Sequence, residues 1–233
     1  MEERSKKILI NLIKDYIEFG EPISSQSFKE RHKIDLSPAT IRIEFQKLTK
    51  DGYLSQPYFS AGRVPTDKAY RFFVDYLIKE SGFQKANQEL FNLFDNFLVN
   101  DLKLLQSLTK FLAKKARSLV LVYLKEEDII FKEGWEEVLK EKEFIEKNLF
   151  GRFCYFLKSF ENEIKNLIPN SEIRVFIGKE NPVSCGKDFS SIISKVYLPK
   201  EKETIFSILG PKRMDYFKNI NLLASLRNCF EKI

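Results

Sequence analysis

Ala39, Thr40, Arg42, Ile43, Gln46 and Lys47 are spaced so that a helix, at about 100° per residue, would gather them on one side. The chemistry such a side offers is recognition of a nucleic-acid duplex. The amide of Gln46 can pair with adenine, the aliphatic group of Ile43 can sit on a thymine methyl, and Thr40 and Arg42 add hydrogen-bonding groups at base edges. Arg42 and Lys47, joined by Arg63, are cations that can neutralise phosphates. Each such contact carries a salt slope of about −0.9 on duplex DNA and fixes register without reading sequence. Ser24 and Ser25, and Ser37 further on, offer hydroxyls and amides suited to a phosphate at helix starts, while ordinary capping explains the first pair equally well. Ile43 has a plainer reading too, as a residue packed beneath the segment that follows the helix. Arg63 can likewise serve structure alone, or reach a phosphate or the minor groove with Tyr58 and Ser60 in support.

Other chemistries find little to work with. The single histidine, His32, stands in a charged segment as a surface residue, with no nucleophile or orienting acid placed beside it. Gly178 and Gly186-Lys187 look superficially like a phosphate-binding loop, but their separation is too long and Asp188 stands where a magnesium-binding Ser or Thr belongs. The acidic groups Glu126-Glu127-Asp128 and Glu136-Glu137 read as solvated faces. Cys154, Cys185 and Cys229 form no CxxC pair, so neither a disulfide framework nor a zinc site is indicated. No cofactor, no metal and no enzymatic activity are expected.

The elements that must position the duplex-facing residues can be read in order. Arg4 to Phe19 carries Ile8, Leu9, Leu12, Ile13, Tyr16 and Ile17 as one broad helical stripe, stopped by Gly20-Glu21-Pro22. Ser24 or Ser25 caps a short second helix ending near Arg31-His32. Ser37-Pro38 then starts the third helix, with a capping hydroxyl before the residue best suited to the first helical position. Ile41, Phe45 and Leu48 form its buried stripe, and Asp51-Gly52 stops it. Tyr53-Leu54 and Gln56 to Phe59 read as the first arm of a hairpin, turned at Ser60-Ala61-Gly62 and returning from Arg63 until Pro65 ends the pairing. This order predicts a winged helix-turn-helix with a basic wing tip. A further helix from Thr66-Asp67 through Tyr70, Phe73 and Leu77 ends at Ser81-Gly82, a domain boundary.

From Gln84 to about Ala116 no Pro or Gly interrupts the chain. Leu90, Phe91, Phe97, Leu98, Leu104, Leu105, Phe111 and Leu112 make two adjacent seven-residue rows, with Asp101 as an irregularity in line with Phe94 and Leu108. Such a helix is expected to pack on the following domain and on a partner subunit, or within one chain. Strands are then predicted over Ser118 to Tyr123, Asp128 to Phe131, Glu172 to Gly178, Phe189 to Tyr197 and Thr204 to Leu209. Helices are predicted over Trp135 to Lys147, Phe150 to Ile168 and from Gly210-Pro211 to the end. The fold class is α+β, with an antiparallel sheet and helices in the second half.

The chain has 233 residues, 43% of them hydrophobic and 31% charged, with a formal charge of +6 and an isoelectric point near 9.0. A polyanionic partner is compatible with that balance. Nine Lys or Arg against five Asp or Glu lie between Lys29 and Arg71, whereas 25 against 21 are spread from Gly82 to Ile233. The excess is densest around the hairpin. The longest apolar run, Leu119 to Leu124, is too short to span a bilayer, and no charged-then-apolar leader opens the chain. A soluble cytoplasmic protein without a membrane partner is expected.

Several strings resemble the HrcA family of bacterial heat-inducible transcription repressors: GEPISS at Gly20 to Ser25, SPATIR at Ser37 to Arg42, GYLSQP at Gly52 to Pro57, SAGRVPT at Ser60 to Thr66 and YRFFVD at Tyr70 to Asp75. FIGKEN at Phe176 to Asn181 and GPKRMDY at Gly210 to Tyr216 extend the likeness toward the other end. The resemblance implies a homodimeric repressor of chaperone operons that binds the inverted-repeat operator called CIRCE and is released on heat shock. It also implies assistance from the chaperonin and a GAF-like second domain. The partition expected is residues 1–80 as the DNA-binding winged helix, 83–116 as the connecting and dimerising helix, and 117–233 as a reduced GAF-like domain. Two departures stand out. Family members carry asparagine where this chain has Ile43, so the operator differs at that base or the contact there is apolar. They are also longer, with an inserted dimerising domain for which this chain has no room near Glu126 to Glu133. Two other readings fit: a regulator that senses a small molecule through the GAF-like domain, and a protein-interaction module that has lost DNA binding.

Overall fold

The computed structural model describes residues 1–80, 101–145, 149–167, 173–198 and 202–230. The chain divides into two compact units, Met1–Glu80 and Ser81–Ile233, and the fold is mixed α+β.

In the first unit, α1 (Glu3–Phe19) buries Ile8, Leu9, Leu12 and Ile13 and stops at Gly20, whose φ of 70° favours glycine. The helix α2 (Ser25–His32) is capped by Ser24, and α3 (Pro38–Lys50) by Ser37 with Pro38 in its first turn. Ile41, Phe45 and Leu48 point inward, each buried Ile, Phe or Leu contributing about 1.5–3 kcal/mol. Phe45 meets Phe28 of α2 edge-on, with ring centres 5.5 Å apart. A buried hydrogen bond of 2.8 Å from Ser5 Oγ to Glu44 Oε2 ties α1 to α3. His32 is not a free surface residue: Nε2 meets the buried Asp15 carboxylate of α1 at 2.9 Å, and the ring lies 4.6 Å from that of Phe28.

Beyond α3, β1 (Leu54–Ser55) pairs antiparallel with β2 (Val64–Pro65). Ile23 adds a bridge to Arg63, with N–H to O distances of 2.9 and 2.8 Å in the two directions. The pairing is shorter than the sequence predicts, because residues 56–59 form a loop. Gln56 Nε2 donates to the carbonyls of Phe59 at 2.6 Å and Ala61 at 3.0 Å, and Pro57 has no amide hydrogen to offer a partner strand. Gly62 is packed so closely that a Cβ there would overlap the Ile23 carbonyl. The unit is completed by α4 (Asp67–Glu80), which buries Ala69, Tyr70, Phe73, Val74 and Leu77.

In the second unit, α5 (Asp101–Ala116) buries Leu104, Leu105, Leu108 and Leu112. The expected continuation of this helix toward Gln84, with Leu90, Phe91, Phe94, Phe97 and Leu98, lies outside the described residues, as do Ser81-Gly82. Five antiparallel strands follow in the order β4-β3-β7-β6-β5: β3 (Leu119–Leu124), β4 (Ile129–Glu133), β5 (Ile173–Ile177), β6 (Phe189–Leu198) and β7 (Lys202–Pro211). Period-two alternation assigns Leu119, Leu121, Tyr123, Phe189, Ile193, Ile205 and Leu209 to one face. They form a single core with Phe153, Phe156 and Phe160 of α8 (Leu149–Glu163). Val120, Val122, Ile192, Phe206 and Ile208 line the other face, covered by α5 and by α9 (Tyr216–Phe230). There the Tyr216 hydroxyl meets Ser190 Oγ at 2.8 Å.

Three helical expectations change. Residues 135–147 are not one helix but two single turns, α6 (Trp135–Val138) and α7 (Lys142–Ile145), with 146–148 outside the described residues. Arg213 supplies the reason, since it pairs with both Glu141, at 2.7 Å, and Glu143. A continuous helix would hold carboxylates two positions apart about 200° from each other. The helix expected over 150–168 ends at Glu163 and gives way to a 3-10 turn, Ile164–Asn166. The last helix begins at Tyr216 rather than Gly210-Pro211, because β7 continues to pair with β6 as far as Phe189↔Pro211.

Burial, only partly offset by Arg213, raises the Glu141 carboxyl above its ordinary range. A raised folded-state value means that its contribution to stability is fully present below the unfolded value and is lost as pH rises through the folded one. Glu141→Gln should therefore gain on the natural protein between pH 4 and pH 7 in urea unfolding. Because the group is partly exposed, the gain should stay below about 1 kcal/mol.

The loop between β5 and β6 is gathered by one side chain. Asn181 Nδ2 shares its two hydrogens among the carbonyls of Gly178, Gly186 and Phe189 at 2.9, 3.0 and 2.9 Å, and its Oδ1 accepts from Ser191 Oγ at 2.7 Å. Gly186 faces Asn181 where a Cβ at 186 would lie 2.5 Å from the Asn181 Cβ. The glycines that look superficially like a phosphate loop are thus parts of a structural knot.

Candidate nucleic-acid interface

The outer side of α3 is built by what its inner side buries. With Ile41, Glu44, Phe45 and Leu48 turned inward, Ala39, Arg42, Ile43, Gln46 and Lys47 emerge exposed and Thr40 half-buried. Ile43 is 64% exposed, which excludes packing beneath the ribbon. An exposed aliphatic group beside an amide and a cation can meet a base edge carrying a methyl group and hydrogen-bonding atoms.

Charge on this surface is unequally available. Among the described residues Arg42 makes no ion pair. Lys47 Nζ lies 2.9 Å from Glu2 Oε1, and their mutual hydrogen bond lowers the carboxyl and raises the ammonium relative to ordinary values. Lys47 must exchange this carboxylate for a phosphate to take part. Arg63, expected at the tip of the ribbon, is half-buried at its base, and its Nε donates to Thr49 Oγ1 of α3 at 3.2 Å. The cation holds the ribbon against the helix.

The hydroxyls divide as well. Ser37 Oγ accepts from the Thr40 N–H at 3.0 Å and lies 2.9 Å from Thr40 Oγ1. Ser24 Oγ accepts from the Ser27 N–H at 3.0 Å. Ser25 is buried, because it shares the inward side of α2 with Phe28 three residues later, and is removed from the candidate surface. Tyr58 and Ser60 are exposed in the loop. Between them stands a residue that sequence reasoning passes over: Phe59, 101% exposed. The available signal is an aromatic pair between Pro57 and Ser60-Ala61-Gly62, in a stretch too rich in turn formers for an ordinary strand. Among the described residues no group of three or more His, Cys, Asp or Glu is arranged to hold a metal ion, and no helix is long and apolar enough to cross a membrane.

Comparison with known proteins bears on the whole chain. Residues 66–220 match the family model described as HrcA protein C terminal domain. A heat-inducible transcription repressor HrcA from Acetivibrio thermocellus is 51% identical over 81 residues, covering 35% of this chain and 23% of the relative. One from Natranaerobius thermophilus is 28% identical over 324 residues, covering 97% of this chain and 94% of the relative. An alignment longer than this chain means that the relative holds stretches with no counterpart here. The chain spans about a quarter of the length of the curated relatives it matches over short segments. A crystal structure of a protein described as hypothetical shares the fold, with a TM-score of 0.80 at 20% identity over 100% of this chain and 99% of the other.

Proposed function

Since this chain belongs to the HrcA family, we propose that it is a DNA-binding repressor of chaperone operons which holds an inverted-repeat operator of the CIRCE type and releases it on heat shock. The observation that carries this reading is the outer side of α3, where Arg42, Ile43 and Gln46 are exposed together on a helix fixed from behind. In this reading residues 1–80 are a winged helix-turn-helix: α3 enters the major groove, α2 crosses behind it, and the β1–β2 ribbon is the wing. Ser24, Ser37, Thr40 and Lys47 take phosphates or the groove edge. Residues 83–116 connect and dimerise, and residues 117–233 form a reduced GAF-like domain. A two-fold dimer would read half-sites separated by whole helical turns, in the cytoplasm, with the chaperonin as a further partner. The protein performs no enzymatic reaction.

Mobility shift with an inverted-repeat duplex and a scrambled duplex of equal length tests the reading. Preference for the repeat by about a thousandfold or more is expected of a specific repressor. Equal affinity for the two duplexes would remove the sequence-reading role, and a strict monomer by light scattering on the bound complex would remove the dimer.

A further inference from the structure

The ribbon's tip is aromatic where the sequence predicts a basic one. Residues 56–62, QPYFSAG, contain no charged side chain, and Arg63 is drawn back to Thr49 at the ribbon's base. Such a tip cannot act by neutralising phosphates. It presents Phe59 wholly in solvent and Tyr58 at 64% exposure, forgoing the hydrophobic stabilisation that burying either ring would give. Slackness does not explain this. The Phe59 carbonyl is held by Gln56 Nε2 at 2.6 Å, the Ala61 N–H donates to the Tyr58 carbonyl at 2.9 Å, and Gly62 is wedged against Ile23. The backbone that carries the exposed rings is braced.

The bracing also sets where the tip can reach. Arg63 fixes the ribbon's base at Thr49, six residues from Ile43, or about 9 Å along the helix axis. That is comparable with the width of a major groove, about 12 Å. With α3 seated in such a groove, which rests on the repressor reading, the ribbon reaches the adjacent strand and groove. The geometry points to Phe59 as an apolar wedge that enters the neighbouring minor groove and unstacks a base step, with Tyr58 packed beside it. Minor-groove proteins insert single rings in this way. A protein partner fits less well, since a stable dock needs a contiguous apolar patch of a few hundred Å², whereas these rings, with Pro57, are bounded closely by the polar Gln56 and Ser60. One base step accepts one ring.

The full chain is titrated with a CIRCE-type duplex carrying 2-aminopurine at successive steps beside each half-site. Binding should raise the fluorescence severalfold at one step per half-site. Phe59→Ala should abolish that rise and weaken binding about tenfold, with an unchanged salt slope because no charge is lost; Phe59→Trp should keep both. If Phe59→Ala matches the natural protein in fluorescence and affinity while Arg42→Ala binds weakly, the wedge is overturned and the repressor reading stands. If the natural protein binds a scrambled duplex equally well, both fall. A Phe59→Ala chain with normal DNA binding but altered solution mass would assign the ring to contact between copies, and would overturn the wedge.

Discussion

Arg42→Ala is expected to weaken operator binding by about 1–3 kcal/mol at each half-site, and by about 2–6 kcal/mol across two independent half-sites. The thermal midpoint should not move, because the side chain is exposed and, among the described residues, makes no ion pair. If the guanidinium meets a phosphate, the slope of log affinity against log salt should fall by about one per protomer. If it meets a guanine edge, the slope should hold while discrimination between bases falls. Mobility shift at several salt concentrations, with calorimetry of the free protein, separates these outcomes. A lowered melting temperature would show that the side chain is structural. Lys47→Ala should have the smaller effect, since Glu2 already occupies the ammonium.

Asn181→Asp should unfold the second unit far more readily than its one-atom change suggests. The amide nitrogen faces three carbonyl oxygens at 2.9 to 3.0 Å in a buried setting. A carboxylate would direct a second negative oxygen at all three, with no cation in that set of partners. Burying an uncompensated charge costs about 3–5 kcal/mol. The variant would relieve this by binding a proton, so its folded-state pKa rises, and the loss is smallest at acid pH and grows as pH increases. Urea unfolding at pH 4 and pH 7 reads both effects. Operator binding by whatever protein remains folded should be unaltered, since Asn181 belongs to the second unit and the proposed interface to the first.

What can be read from the sequence is what local physics decides. Ser37-Pro38 announces a helix start by capping and a fixed φ, and the spacing of Ile41, Phe45 and Leu48 sets which side is buried; both hold in α3. The strands β6 and β7, whose apolar stretches are bounded by Gly and Pro, are legible for the same reason. What escapes depends on partners distant in the chain. Arg213 breaks the helix after Val138 through carboxylates some 70 residues away. Gln56 satisfies the carbonyls of Phe59 and Ala61 from within the loop, in place of the strand pairing expected over residues 56–59. Ser24 and Ser25 are equally good caps by type, and packing around Phe28 decides which is buried. The pull on Arg63 is invisible along the chain, because the hydroxyl that draws it inward, Thr49, lies 14 residues earlier.

The buried bond between Ser5 and Glu44 has a consequence for how such a protein can diversify. A directional polar contact on the hidden side of α3 fixes the helix's azimuth, so rotation about its long axis would strand a carboxylate away from water. The residues that face outward are then relieved of any share in holding the scaffold. In the proposed reading, positions 39, 43 and 46 can drift with the DNA sequence while the frame stays still, and a new binding preference calls for new letters on an old key.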